Sequence, residues 1–208
     1  MLSLLTMDAR AGRDDLLALM ARLRRGEPEA LEPLYRSESG AVYRYALALC
    51  ANPAWAADAM QEAFVALATN PENFDPLRGS LGGWLAGIAR HHLLARWRDA
   101  RREVQDEDAD SGIASSFGEY APLTDGPERR LVDAQDQAAL WQAIQALPWP
   151  FREALVLVDL QERAYVEAAR IAGVEINTLR SRLHRARQKL AAALQGLPET
   201  SRAQGSAA

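Results

Sequence analysis

The C-terminal part of the chain carries a pattern of two short helices joined by a tight turn, and this pattern constrains the fold more than any other feature. The turn is centred on Gly173. The helix predicted after it has apolar residues spaced three and four apart, at Ile176, Leu179, Leu183, Ala186 and Leu190. One buried stripe of this kind leaves the opposite side of the helix in solvent. A helix-turn-helix with an exposed second helix is the form that enters the DNA major groove.

The exposed side of this second helix is strongly basic. Residues 163–189 contain seven basic and two acidic residues, a net charge of +5, although the whole protein has a net charge of -4. Arginine can pair with guanine edges or with phosphates. Charge alone does not establish DNA binding, because solvated basic helix faces are common and 23 of the 24 basic residues are arginine. The short turn and the uninterrupted apolar stripe are what favour DNA binding.

The rest of the chain also predicts helices, and no strand pattern persists. The predicted helices span residues 13–25, 28–50, 54–69, 80–102, 127–147 and 151–160. Residues 103–136 contain ten acidic residues and only two arginines, a net charge of -8, and lack periodicity through about residue 126. We therefore expect an all-α fold of two small helical domains joined by an acidic flexible linker. The predicted ranges are 13–102 for the first domain, 103–126 for the linker, 127–194 for the helix-turn-helix domain and 195–208 for a disordered tail.

Several classes of protein are disfavoured by what the sequence lacks. Its single cysteine, Cys50, fits a reducing compartment, and no stretch approaches the roughly 20 apolar residues of a membrane span. We therefore expect a cytoplasmic protein without membrane insertion. No nucleophile–base pair or Gly-rich phosphate loop is visible, so no enzyme activity and no cofactor are predicted. His91 and His92 are not expected to bind a metal, because adjacent helix residues point about 100° apart.

The C-terminal motifs resemble a known family. Three segments closely resemble the promoter-binding domain of bacterial sigma factors of the extracytoplasmic-function (ECF) group in the sigma-70 family. They are Ala146-Leu147-Pro148, Phe151–Leu157 and "TLRSRLHRARQKL" from Thr178. The resemblance implies a subunit that binds core RNA polymerase and directs it to promoter DNA. It also implies control by an anti-sigma factor and a role in stress responses. The residues implied to face the -35 element are Thr178, Arg180, Ser181, Arg182, His184 and Arg185.

The N-terminal half contains a second motif that this family requires. The run from Asp58 to Phe64 resembles the helix with which the family binds core polymerase. Asp58, Gln61 and Glu62 lie at i, i+3 and i+4, so they share one helix face. Taken alone, such a polar face is more often simply solvated. The resemblance implies that these three residues contact the polymerase core.

A third motif, from Ser80 to Arg90, resembles the segment that opens and reads the -10 element. It has the family's Trp84-Leu85 pair followed by Ile88-Ala89-Arg90, and residues 76–102 carry a net charge of +5. Single-stranded DNA is bound by cationic tracks combined with planar groups, and the loop at residues 70–79 is the natural candidate for a base pocket. Trp84 is predicted to be core, and Trp97 could be exposed. The candidate -10 contacts are Asn73, Phe74, Arg78, Arg90, His91, Arg96, Arg98 and Arg101.

Some positions depart from the family's usual pattern. His91 and Ala95 stand where Asn and Asp are usual, and Asn177 stands where Gly is usual. These departures bear on promoter sequence preference rather than on the fold. Two other readings remain open: a stand-alone helix-turn-helix regulator of transcription, and a sigma-like decoy that binds an anti-sigma factor without DNA. The first leaves the two N-terminal motifs unexplained, and the intact basic faces argue against the second.

Overall fold

The protein is described by a computed structural model that covers residues 14–106 and 129–195, with side chains for residues 14–99 and 137–195. Within these ranges every regular element is helical and no strand occurs. The described residues form two compact units, one on each side of the gap. The predicted all-α fold with two helical domains is therefore confirmed.

The described part of the N-terminal unit contains four helices. They are α1 (residues 14–24), α2 (Leu31–Cys50), α3 (Pro53–Thr69) and α4 (Leu81–Asp106), with short 3-10 turns at Pro28–Ala30 and Pro71–Asn73. The breaks fall where local sequence signals predict them. Gly26 has a φ of 80°, which ends α1. The Asn52 side chain accepts a hydrogen bond of 3.1 Å from the Trp55 amide, and Pro53 occupies the first turn, so both features start α3.

Close packing of α2, α3 and α4 forms the core of this unit. Large side chains from all four helices are buried there: Met20, Leu23, Leu34, Tyr45, Leu49, Phe64, Leu67, Leu81, Leu85 and Leu93. Between them lie alanines with no exposed surface, at Ala56, Ala59, Ala63, Ala86 and Ala89. Because alanine has only a methyl group, it lets neighbouring helix backbones approach closely.

Among the described residues, the predicted helix boundary that differs most from the structure is the end of α4. Helix α4 continues to Asp106 and so enters the predicted linker at 103–126. After Arg102 the sequence has no Gly or Pro until Gly112, and Glu103 and Gln105 are good helix formers. No local signal therefore ends the helix at Arg102. Residues 107–126 of the linker and 196–208 of the tail lie outside the described residues, and the domain limits remain predictions.

The C-terminal unit contains α5 (Arg129–Gln145), α6 (Trp149–Leu155), α7 (Tyr165–Ala172) and α8 (Ile176–Gln195). A single π turn, Val156–Leu160, follows α6, and the Gln161 amide donates to the Val156 carbonyl at 2.9 Å. The helix predicted over residues 151–160 is thus partly of π type. The buried Arg152 caps α5, because its guanidinium donates to the carbonyl oxygens of Gln145 and, at 3.0 Å, of Leu147.

Two kinds of feature are absent from the described residues. None of the helices there combines the length and apolar character needed to cross a bilayer. The same residues contain no cluster of three or more His, Cys, Asp or Glu side chains that could hold a metal ion.

Candidate nucleic-acid interface

The turn between α7 and α8 has the hydrogen bonding of a glycine-terminated helix. Gly173 adopts a φ of 66°. The Val174 amide donates to the Ala169 carbonyl at 3.0 Å, and the Gly173 amide donates to the Arg170 carbonyl at 3.2 Å. These bonds satisfy the last carbonyls of α7 and redirect the chain sharply into α8. The turn therefore builds the helix-turn-helix that the sequence predicts.

Helix α8 buries the centre of its predicted apolar stripe, leaves Ile176 and Leu190 half-buried, and exposes the opposite side. Leu179, Leu183 and Ala186 are 0%, 2% and 0% exposed. All six candidate -35 residues lie off this stripe. Arg182 is half-buried, and the other five are exposed, namely Thr178, Arg180, Ser181, His184 and Arg185. The structure thus brings the six residues together on one side of a single helix.

The basic residues of α8 have different partners. Within the described residues, Arg182 and Arg185 form no ion pair or hydrogen bond through their side chains. The Arg180 guanidinium lies 5.6 Å from the centre of the Tyr165 ring and 3.4 Å from Asn177 Oδ1. Arg180 therefore remains available on the surface while α7 supports its position.

Arg187 has a structural partner that the sequence did not indicate. Its Nε and Nη2 atoms donate to the two carboxylate oxygens of Asp159 at 3.0 and 2.6 Å. Hydrogen bonding and attraction to this carboxylate raise the pKa of Arg187. Because Asp159 belongs to the π turn, this fork-like pair joins α8 to the segment after α6.

The loop at residues 70–79 matches the prediction only in part. Asn73 and Arg78 are exposed, as a DNA-contacting role requires. Phe74, however, is 1% exposed, and its ring centre lies 5.9 Å from that of Trp84. The prediction that Phe74 contacts a base is wrong for this conformation, since the ring is part of the core beneath the loop.

Helix α4 separates the remaining candidate -10 residues into two groups. Arg98 and His91 are exposed, Arg90 is half-buried, and the ring of Trp97 is 39% exposed. The side chain of Arg101 lies outside the described residues. Arg96 is two residues from Arg98 and therefore points about 160° away around the helix.

Arg96 instead pairs with a residue of the candidate polymerase-binding face. Its Nη1 lies 2.7 Å from Asp58 Oδ2, and its guanidinium lies 5.0 Å from the centre of the Trp55 ring. The ion pair is partly exposed, with 41% of the Arg96 side chain and 50% of the Asp58 side chain accessible. The structure therefore places Arg96 in a contact between α3 and α4, away from Arg98.

The polar face of α3 borders an apolar depression. Gln61 and Glu62 are exposed on α3, as predicted. Beside them lies a depression of about 290 Å³, lined by Leu31, Tyr35, Met60, Gln61, Phe64, Val65 and Ala68. The Tyr35 and Phe64 rings are 4.8 Å apart, and Tyr35 and Val65 are 42% and 48% exposed. No sequence motif indicates this surface, because only the packing of α2 on α3 creates it.

Comparisons with known proteins match both units. The family model "Sigma-70 region 2" matches residues 34–103, and "Sigma-70, region 4" matches residues 137–190. The chain is 34% identical to the ECF RNA polymerase sigma factor SigE of Mycolicibacterium smegmatis, over 76% of this chain and 59% of that protein. It is 32% identical to the ECF RNA polymerase sigma factor EcfG of Rhodopseudomonas palustris, over 88% of this chain and 84% of that protein. Among solved structures, it is similar to the sigma factor RpoE in complex with the anti-sigma factor NepR from Bartonella quintana. That match has a TM-score of 0.61 and 26% identity, over 80% of this chain and 98% of that one.

Proposed function

Because the chain belongs to the sigma-70 family, in the ECF group of RNA polymerase sigma factors, we propose that it binds core RNA polymerase and directs initiation at specific promoters. The observation that carries this proposal is the exposed basic side of α8 on a helix-turn-helix, joined in one chain to a unit with the family's N-terminal region. A sigma factor is an initiation factor and not an enzyme by itself. Core polymerase supplies the chemistry of RNA synthesis.

Duplex recognition at the -35 element is proposed for α8. Ser181 lies opposite the buried stripe, Arg185 lies beside it, and Arg182 lies nearer the stripe on the same side. Neither arginine has a side-chain partner among the described residues. Arginine at these positions can contact phosphates or read guanine edges. The exposed hydroxyl of Thr178 and the ring of His184 extend the same surface.

Contact with the -10 element is proposed for the loop at 70–79 and the exposed side of α4. Arg78, Arg90 and Arg98 supply positive charge for the phosphates, and Trp97 supplies a partly exposed ring on which a base can stack. Asn73 and His91 offer polar side chains beside them, and Arg101 follows along α4. Phe74 and Arg96 are omitted from this set, because the first is buried and the second pairs with Asp58.

Binding to core polymerase is proposed for the exposed face of α3. Gln61 lines the depression together with Tyr35 and Val65, and the exposed Glu62 follows it on α3. A polar rim around an apolar floor is the usual anatomy of a protein–protein contact. Asp58 extends this rim, although its carboxylate is shared with Arg96.

Control by an anti-sigma factor is proposed from the Bartonella quintana relative, whose solved structure is a complex with one. We further propose a cytoplasmic protein that is released under stress, as the ECF resemblance implies.

Run-off transcription tests the proposed function directly. Purified bacterial core polymerase, with and without the full chain, is supplied with a library of genomic fragments from the source organism. Discrete transcripts that depend on the chain are expected, and their start sites give the promoter consensus. A stand-alone regulator would bind duplex DNA without core polymerase and would produce no new start sites. If no template gives a transcript, although the same core polymerase is active with a control sigma factor, the proposal is contradicted.

A further inference from the structure

We infer that Arg24, at the end of α1, is a positioning residue that holds the loop at 70–79 in the shape that presents Arg78 to DNA. Its Nη2 atom donates to the Phe74 carbonyl at 2.7 Å and lies 3.5 Å from the Pro71 carbonyl. Its Nε lies 3.3 Å from Glu72 Oε2. One guanidinium therefore contacts three residues of a loop that is about 50 positions away in the sequence.

Helix α1 gives this guanidinium a fixed base. Met20 and Leu23 are 0% and 7% exposed, so the last turn of α1 is anchored in the core of the N-terminal unit. Arg24 follows directly, and 32% of its side chain remains accessible. A planar guanidinium at an anchored helix end loses little entropy when it binds a carbonyl of the loop.

Backbone bonds hold the first half of the loop, where the Asn73 amide donates to the Asn70 carbonyl at 3.1 Å and the Phe74 amide donates to the Pro71 carbonyl at 3.4 Å. The Leu77 amide donates to Asp75 Oδ1 at 2.9 Å, and the Arg78 amide donates to the Asp75 carbonyl at 3.0 Å. These bonds shape the second half of the loop. The Phe74 carbonyl receives the Arg24 guanidinium at the point where the chain leaves the core, so this contact fixes how the second half is oriented.

The consequence is a preorganised loop tip. Leu77 is 87% exposed and Arg78 is exposed beside it, on a turn whose start is held by Arg24. A base that leaves the duplex must find its contacts already in place if the binding site is to offset the cost of unstacking. This inference rests on the proposed -10 role of the loop, and the experiment below separates the two.

The variant that removes the donors is Arg24→Met, which keeps an apolar stem of similar length. Arg24→Lys retains one ammonium donor and tests rescue. The matched control is Arg22→Ala in the same helix turn, since Arg22 pairs with Glu27 at 2.8 Å and not with the loop. Glu72→Gln removes the ion pair while leaving both carbonyl contacts, so it should behave like the wild type.

The first measurement is amide hydrogen exchange of the free full chain. In Arg24→Met, amide exchange over residues 72–78 should accelerate about tenfold or more, because the loss of one hydrogen bond from a charged donor makes local opening easier by about that factor. Arg24→Lys should lie between this variant and the wild type, and Arg22→Ala should leave the loop unchanged. Wild-type exchange in Arg24→Met would overturn the anchoring contact.

The second measurement has two parts. Binding of holoenzyme to single-stranded DNA is measured with a fluorescent pool of 12-mers of random sequence. Opening of a duplex promoter is measured by the reaction of unpaired thymines with permanganate. Arg24→Met should weaken single-strand binding about tenfold and reduce opening, while duplex binding through α8 and assembly with core polymerase stay unchanged. Arg78→Ala is the functional reference. If Arg78→Ala binds and opens normally, the proposed role of the loop fails. If Arg78→Ala is defective and Arg24→Met is not, the positioning role of Arg24 is overturned.

Discussion

Arginine serves two purposes in this protein, and the difference lies in its immediate partners. Arg24, Arg152 and Arg187 are held by carbonyls or carboxylates of their own unit. Arg182 and Arg185 have no such partner among the described residues. Because 23 of the 24 basic residues are arginine, residue type alone does not separate the two groups. The structural arginines set the shape of the surfaces on which the others are displayed.

Ala51 is a residue in an unfavourable conformation, and replacing it should stabilise the protein. It ends α2 with a φ of 52°, a left-handed geometry that costs an L residue energy and costs glycine little. We expect Ala51→Gly to raise the free energy of unfolding by about 0.5–1 kcal/mol. Urea unfolding of the full chain, followed by tryptophan fluorescence, measures the change. The same substitution at exposed Ala57, inside α3, should instead lower it by about 1 kcal/mol. A loss of stability at both positions would show that the conformation of Ala51 carries no strain.

At the level of elements, α3 and α4 are linked by a contact that joins two proposed functions. Asp58 lies on the face proposed for core polymerase, and its partner Arg96 lies on the helix proposed for the -10 element. A substitution of Asp58 therefore disturbs α4 as well as the α3 surface. Gln61 and Glu62 are better probes of polymerase binding, because neither joins α3 to α4 in this way.

The link between α3 and α4 can be measured with a double-mutant cycle of Asp58→Asn and Arg96→Gln. We expect a coupling of about 0.2–1 kcal/mol, since the pair is roughly half exposed and solvent screens it. The coupling should shrink as ionic strength rises. Arg96→Gln should cost more than Asp58→Asn, because it also removes the cation from the Trp55 ring. Strict additivity of the two substitutions would mean that the pair does not join the helices energetically.

Across the whole molecule, charge is unevenly distributed along the chain. The net charge is -4, yet residues 163–189 carry +5 and residues 76–102 also carry +5. The balancing acidity is concentrated in residues 103–136, with -8. Two basic surfaces thus belong to separate units, and the segment between them has the opposite sign.

Salt dependence should identify which cations contact phosphates in the assembled complex. For holoenzyme on a promoter found by run-off transcription, the logarithm of the binding constant should fall linearly with the logarithm of salt concentration. Arg182→Ala and Arg185→Ala should each reduce the steepness by about 0.9 if the residue contacts one phosphate. The matched control on the same helix is Arg187→Ala, which should lower the stability of the C-terminal unit and leave the slope unchanged. Equal changes in slope for Arg185→Ala and Arg187→Ala would contradict this assignment.

Local signals made much of the fold predictable, whereas contacts between distant residues were not. Gly26, Asn52 and Gly173 end or start helices through their own backbone or side-chain chemistry, and the periodicity of α8 defined its buried stripe. By contrast, no local pattern indicates the hydrogen bond of Arg24 to the Phe74 carbonyl or the ion pairs Asp58–Arg96 and Asp159–Arg187. These partners lie 50, 38 and 28 residues apart. The prediction for Phe74 failed for the same reason. The sequence placed Phe74 in the candidate base-pocket loop, and its burial depends on packing that includes the ring of Trp84 on α4.

The position of Arg24 has a consequence for exchanging parts between related proteins. The segment that matches the family's region 2 begins at residue 34, ten residues after Arg24. A chimera that transplants residues 34–103 into another family member would inherit Arg78 and the basic side of α4 without the guanidinium that orients their loop. Such a hybrid would carry the proposed DNA-contacting residues of this protein on the scaffold of the other family member. Its promoter preference would then depend on whether the first helix of the other family member ends in a residue that can donate a hydrogen bond to the loop, as Arg24 does here.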